Sequence, residues 1–402
     1  MSRPITSLAP LWSEHPPQLK SLFLVEMWER FGYFGMRGLL VLFLSQHFLF
    51  SDAAASGLYG GFTSLAYLTP LAGGLLADLC LGRKTAVRLG AMLMAAGYFG
   101  LCFSGEAAKP AFMFDGIAYA VMTSSAGESK PCVVIDASCH AVSTQADGSV
   151  VLEGLDDSRF PARFAAGSYS FDGIREPLRV SILLLSLSAI IIGSGLFKPN
   201  MSPMLGSLYS QDDPRRDSGF TLFHLGVNLG SLGAQFLCPW FAHWFGWWAG
   251  FLIAALGLLM SLLLLHRGAH SLQGIGDPPP VARSVYNASL IAVLVAIPVV
   301  WFLLNNLMQS ADSRQQSLEP GGGWVFWSTL PLLGKVLLVT FTASSLGILG
   351  YAVLAGQREE LKRMVAAMVL TLFSVVFWAL FEQAGSTLTY MEIGRAACRE
   401  RV

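Results

Sequence analysis

Nine stretches of this 402-residue chain are apolar enough and long enough to be read as crossing a lipid bilayer: 23–50, 57–81, 86–104, 179–205, 219–240, 246–265, 285–306, 325–355 and 364–390. A spanning helix needs about 20 mostly apolar residues. Hydrocarbon offers backbone polar groups no partner, so such segments must be helical. The composition agrees, with 53% hydrophobic and 13% charged residues and a mean hydropathy of +0.55. Soluble domains run nearer a quarter charged, and disorder requires low hydrophobicity and high charge. Lys+Arg (26) and Asp+Glu (26) balance, which gives no basic face for nucleic acid. Six cysteines in such a length make no disulfide scaffold. The expectation is an all-α integral membrane protein.

Residues 1–20 are polar, contain Pro4, Pro10, Pro16 and Pro17, and lack the apolar core of a secretory signal. They are expected to be a cytoplasmic segment, with the first span retained as an anchor. Orientation follows Lys and Arg in short loops. One set of connections carries Arg83, Lys84, Arg88, Arg215, Arg216, Arg267, Arg283, Arg358, Lys362 and Arg363, whereas the alternate set holds little beyond Arg314. The first set, and with it the N-terminus, is expected in the cytoplasm. The expected layout is spans over 21–104, an outer segment over 105–178, spans over 179–266, a linker over 267–284, a helix pair over 285–355 and a last span over 364–390.

Segment 105–178 is rich in acidic residues and too long to count in the charge rule. Short apolar runs such as Cys132–Ile135 and Val150–Leu152, broken by Gly and Asp, suggest a small β-rich extramembrane insertion. Cys132, Cys139 and His140 leave a disulfide, free thiols or a metal open, with thiol chemistry favoured and no metal expected.

Ionisable groups at membrane depth are costly and read by default as functional. The first span holds Glu26, Glu29, Arg30 and Arg37, with Tyr33 between them. Positions 26, 30, 33 and 37 share one helical stripe, and Glu29 lies beside it. Mutual neutralisation of Glu26 and Arg30 is the plainer alternative. Lys198 lies in Gly193-Ser194-Gly195-Leu196-Phe197-Lys198-Pro199-Asn200, where Pro199 disfavours helix and suggests a kink; the alternative is snorkelling to the surface. Glu382, in Phe377-Trp378-Ala379-Leu380-Phe381-Glu382-Gln383, has no basic neighbour within a turn. It needs a partner on another helix, for which Arg37 is the candidate; a protonated carboxyl buried in packing is the alternative. These side chains are expected to converge on one wet chamber. Asp78 and Arg83 are expected to brace a cytoplasmic helix end.

The block Glu26-Met27-Trp28-Glu29-Arg30-Phe31-Gly32-Tyr33-Phe34-Gly35 resembles the ExxERFxYYG signature of the proton-dependent oligopeptide transporter family. Three further blocks agree in order: Gly73–Lys84, Gly195–Asn228 and Phe377–Ser386. Phe34 replaces the second Tyr of the signature, His224 stands where Tyr is common, and Leu79-Cys80 departs from the family pattern. The resemblance covers about residue 20 to 390 apart from 105–178. It implies a major facilitator superfamily fold of two six-helix bundles. The first six spans would form the N-terminal bundle, 285–355 an extra pair, and 364–390 the first helix of the C-terminal bundle, with the rest of that bundle missing. Residues 391–402 are expected to be a non-native tail.

The resemblance further implies proton-coupled symport of di- and tripeptides by alternating access in a bacterial inner membrane. The implied partners are small peptides, protons and the lipid bilayer, without nucleic acid, and no cofactor beyond the proton gradient. Proton coupling would fall to Glu26, Glu29, Arg30, Lys198 and Glu382. Substrate binding would fall to Arg30, Tyr33, Arg37, Tyr67, Lys198, Asn228, Trp378 and Phe381, and gating to Arg37, Glu382, Asp78 and Arg83. Alternatives are a carrier of another small anion or amino acid, or a non-transporting peptide sensor with 105–178 as receptor. An enzyme is disfavoured, since the chain shows no HExxH, nucleophile elbow or paired-Cys zinc spacing.

Overall fold

The computed structural model describes residues 12–123, 131–145, 147–155, 159–165, 167–316, 327–328, 330–354, 358–385, 389 and 391. The expectations for residues 1–11 and 392–402 lie outside them. Among the described residues run helices α1 (Pro17–Leu42), α2 (Asp52–Leu76), α3 (Arg83–Leu101), α4 (Pro177–Gly206), α5 (Arg216–Phe245), α6 (Trp247–Arg267), α7 (Arg283–Gln316), α8 (Leu332–Leu354) and α9 (Arg358–Phe381). Each expected span overlaps one of these helices, several of which extend beyond it. Single π-helical turns, Phe43–His47 and Ala77–Leu81, extend α1 and α2. By length and apolarity alone six segments can cross a membrane: Asp52–Leu81, Pro177–Gly206, Trp247–Arg267, Arg283–Ser310, Leu332–Leu354 and Glu359–Gly385. Helices α1, α3 and α5 do not stand out this way. The first two carry charges, and α5 is interrupted by Gly, Asn and His.

Local chemistry sets the helix ends. Pro17 and Pro177 open α1 and α4, where a missing N–H costs nothing. The Ser51 side chain caps α2 by accepting from the Ala54 N–H at 3.2 Å. Gly246, at φ 93°, turns α5 directly into α6.

Helix α1 is central, packed on α5 and α6, while α4 lies against both α2 and α3. Helix α7 covers α2 and α4, and α8 joins α7 to α9. Lipid tails are as apolar as leucine, so close packing rather than water exclusion must hold such helices together. Small residues permit it. A Cβ on Gly90 of α3 would lie 2.5 Å from the Gly193 carbonyl oxygen of α4, and one on Gly193 would lie 2.5 Å from that of Gly90. Pro199 lies inside α4, which stays helical through Lys198. The proline leaves the Gly195 carbonyl without its helical donor. Gly73 of α2 abuts that oxygen, and the Thr69 hydroxyl donates to the Ile191 carbonyl at 3.2 Å.

The described residues of segment 105–178 hold one antiparallel sheet of six strands: β1 (Lys109–Phe114), β2 (Ile117–Thr123), β3 (Pro131–Ile135), β4 (Ser138–Thr144), β5 (Val150–Leu152) and β6 (Tyr169–Ile174), in the order β5-β4-β3-β2-β1-β6. Asp115-Gly116 joins β1 to β2 with both residues at positive φ, as a two-residue hairpin turn demands. Phe112, Val133, Ile135, Val150, Leu152 and Phe164 form a core separate from that of the helices. Cys132 and Cys139 are disulfide-bonded across the β3–β4 hairpin.

Arg175 fixes this sheet to the end of α1. Its Nε and Nη2 donate to the carbonyls of Phe48 and Leu49, each at 2.6 Å, and its guanidinium lies 4.4 Å from the Phe50 ring centroid. At the opposite end, the Lys84 N–H donates to the Gly276 carbonyl at 2.9 Å and Lys84 Nζ to Asp277 at 2.6 Å. The linker after α6 therefore lies across the α2–α3 turn. The Lys84 hydrogen bond and the Gly274 N–H hold the Asp277 carboxyl below the usual aspartate range.

Candidate functional site

The charged stripe of α1 is buried. Glu29 is wholly inaccessible, and Glu26, Arg30 and Tyr33 nearly so. Arg30 Nε donates to Glu26 Oε1 at 2.8 Å and lies 2.6 Å from Glu29 Oε2. One guanidinium thus serves two carboxylates, more than the simple neutralisation of Glu26 requires. Opposing charges make burial at this depth tolerable, because an unpaired ion there costs several kcal/mol or more.

Lys198 approaches from α4. Its Nζ lies 3.9 Å from the Tyr33 ring centroid and 5.6 Å from that of Tyr67. Such cation–π seating favours an ammonium over an aromatic face. Lys198 is therefore an inward residue and does not snorkel. On the next turn of α1, Arg37 Nε donates to the Tyr59 hydroxyl at 2.8 Å, and Nη2 pairs with Glu382. The 3-10 turn Glu382–Gly385 at the end of α9 brings that carboxylate to α1.

Beside this array, α2 and α9 flank an open cavity of about 700 Å³ lined by Ser56, Tyr59, Gly60, Thr63, Ser64, Tyr67, Thr371, Ser374, Val375, Trp378, Ala379, Glu382 and Gln383. Its wall is aromatic and small-polar, with one carboxylate, the usual character of a small-molecule site. Of the expected binding and gating residues, Tyr67, Trp378 and Glu382 line it, while Tyr33, Arg37 and Lys198 stand behind its wall. The expected convergence on one chamber is thus only partial. Glu29 is sealed off, because a residue next to Arg30 points about 100° away around the helix. Phe381 is exposed beside the cavity, packed edge-on to Trp378 with ring centroids 5.3 Å apart. Asn228 is exposed on α5 and is not part of the cavity lining. Asp78 and Arg83 pair at 2.8 Å at the far end of α2.

Tyr59 escaped the sequence reading, although Tyr59, Thr63 and Tyr67 are spaced by four on α2 and that periodicity was legible. Asp277 carried no sequence signal, since its partner Lys84 is far away in the chain.

Comparison with known proteins bears on this geometry. The family model described as PTR2, POT family, matches residues 84–392. The chain is 25% identical over 381 residues to dipeptide and tripeptide permease B of Aliivibrio fischeri (strain MJ11), covering 94% of this chain and 58% of the relative. It is 24% identical over 383 residues to dipeptide and tripeptide permease A of Escherichia coli (strain K12), covering 94% and 57%. This chain therefore spans less than two thirds of the length of these relatives. Among solved structures, a POT family transporter in complex with a thioalcohol-conjugated peptide superposes with a TM-score of 0.62 at 23% identity, over 94% of this chain and 62% of that one.

Proposed function

Because the chain belongs to the POT family, we propose that it serves proton-coupled symport of di- and tripeptides, driven by the proton gradient without a further cofactor, in a bacterial inner membrane with its N-terminus in the cytoplasm. In this reading α1–α6 form the first bundle, α7 and α8 the extra pair, and α9 the first helix of the second bundle. The sheet lies outside the membrane, on the outer side.

The observation that carries the proposal is the sharing of a single buried array by carboxylates and cations at the wall of an aromatic cavity. A zwitterionic peptide offers a carboxylate and an ammonium. Arg30, Arg37 and Lys198 offer charge-assisted donors for the first, Glu382 an acceptor for the second. Tyr67 and Trp378 supply apolar surface that tolerates varied side chains, and Phe381 and Asn228 extend the binding surface in other states of the cycle. Coupling follows from shared charge. The proton enters at a carboxylate, frees the cation it held, and that cation then takes the peptide carboxylate. Glu382 does this for Arg37 at the outer gate; Glu26 and Glu29 do it through Arg30 and Lys198. The Asp78–Arg83 pair braces the opposite end.

Lys198→Ala removes the cation the cycle needs. In cells lacking other peptide uptake, the variant is expected to lose proton-driven dipeptide accumulation while reaching the membrane at wild-type level. Accumulation at the wild-type rate would refute the assignment. Failure of the wild type to take up any member of a dipeptide panel, with uptake of an amino acid or small anion instead, would refute the substrate class.

A further inference from the structure

Glu29 is the most deeply buried carboxylate of the array, and it does not line the cavity. It is wholly buried, and both of its oxygens lack a hydrogen-bond partner among the described residues, although Arg30 Nε lies 2.6 Å from one of them. A second orphan lies nearby. Tyr98 of α3 is also wholly buried, and its hydroxyl has no partner among the described residues. Buried tyrosine hydroxyls nearly always find one.

Gly32 makes the approach possible. A Cβ there would lie 3.1 Å from Tyr98 Cε2 and 2.9 Å from the Ala254 carbonyl oxygen. A Cβ at 32 would meet Leu258 Cδ2 first, at 2.1 Å, and would press the tyrosine ring aside by a few tenths of an ångström. Glu29 lies three residues earlier, one turn away on the same face. Among charged groups, Glu29 acts most strongly on the tyrosine hydroxyl, ahead of Arg30; Tyr33 and Cys238 also act on it. The charges around Glu29 are Arg30 and Glu26 on its own helix and Lys198 from α4. Helix α6 presents Ser261, uncharged, whose hydroxyl already donates to the Val25 carbonyl at 2.8 Å.

We propose that Tyr98 is a positioning residue for proton coupling: a small rotation lets its hydroxyl donate to the Glu29 carboxyl, holding that group on the α3 side of α1 while Arg30 holds the other. The inference deepens the proposed symport and rests on it for its biological meaning. The arrangement gives Glu29 a neutral partner that stays when Arg30 or Lys198 turns to a substrate. The carboxylate is then never stripped of every donor during the cycle.

Infrared difference spectroscopy of the purified protein across a pH step tests this directly. The band of the protonated Glu29 carboxyl is identified by its disappearance in Glu29→Gln. In Tyr98→Phe, which keeps the ring and removes only the hydroxyl, that band is expected to move to the position of a less strongly hydrogen-bonded carboxyl. The pH midpoint of proton-driven uptake is expected to shift by on the order of one pH unit, the size of a hydrogen bond to a charged group. An unmoved band overturns the proposal whatever uptake does. If the wild type carries no peptide, the function fails, but the band still decides the role of Tyr98.

Discussion

Arg37 shows how one side chain can join three parts of the fold. It rises from α1, takes the Tyr59 hydroxyl of α2, and pairs with Glu382 beyond α9. Both side chains of the pair are largely shielded, with 15% and 22% exposure. Removing one partner of a shielded pair leaves the other charge uncompensated, at a cost of about 3–5 kcal/mol where burial is complete. Arg37→Glu or Glu382→Arg alone should therefore depress uptake by more than about tenfold. The exchanged double variant should recover a substantial part, because the pair is restored with its direction reversed. Uptake by the double variant no better than by either single one would show that the two charges act separately. The pair was legible in the sequence as a demand, since Glu382 has no local partner. Its hydrogen-bonded third member, Tyr59, shows only a helical spacing with Thr63 and Tyr67, which does not say that it meets Arg37.

At the scale of elements, α3 and α4 meet through glycine. Gly90 and Gly193 face each other with backbone nearly in contact, and van der Waals fit is the main attraction available between helices in lipid. Gly193→Leu is expected to push α3 from α4 and to destabilise the fold by about 1–3 kcal/mol or more, the usual cost of overpacking. A lowered midpoint of thermal unfolding in detergent, with Gly57→Leu as comparison at a glycine whose Cβ meets nothing within 4 Å, checks this. Equal midpoints for the two variants would show that the α3–α4 contact is not limiting. The sheet shows a different relation. Its hairpins were visible as short apolar runs broken by Gly and Asp. Its attachment through Arg175 to the carbonyls of Phe48 and Leu49 was invisible, because backbone acceptors leave no trace in residue identity.

For the molecule as a whole, the linker over the α2–α3 turn ties the end of α6 to the start of α7. Its hold is ionic and exposed, so it responds to pH. Asp277 is stabilised as a carboxylate by Lys84, which places its folded pKa below the unfolded value of about 3.9. The stabilisation is complete above the unfolded value and is lost as pH falls through the folded one. Hydrogen exchange in residues 268–282 should be slow at pH 7 and lose protection under strong acid, after correction for intrinsic rates. Asp277→Asn should show the faster exchange at both. Protection that survives in that variant would assign the hold to the Lys84–Gly276 backbone bond instead.

The sequence by itself determined the class of this protein. Nine apolar stretches, the loop charges and the signature blocks fix a helical membrane chain of the POT family, because hydrocarbon allows so few alternatives to a helix and tolerates so few charges without a use. It also named most of the array, since each ionisable residue at that depth stands out against its neighbours. What only the tertiary structure decided is how those charges divide. Arg30 serves two carboxylates, Lys198 rests on Tyr33, and Arg37 reaches Glu382. Glu29 is wholly buried and lies outside the cavity lining. Helical periodicity gives each residue a direction around its own axis, but which helix stands in that direction, and how closely glycine lets it approach, is a property of the packed bundle alone.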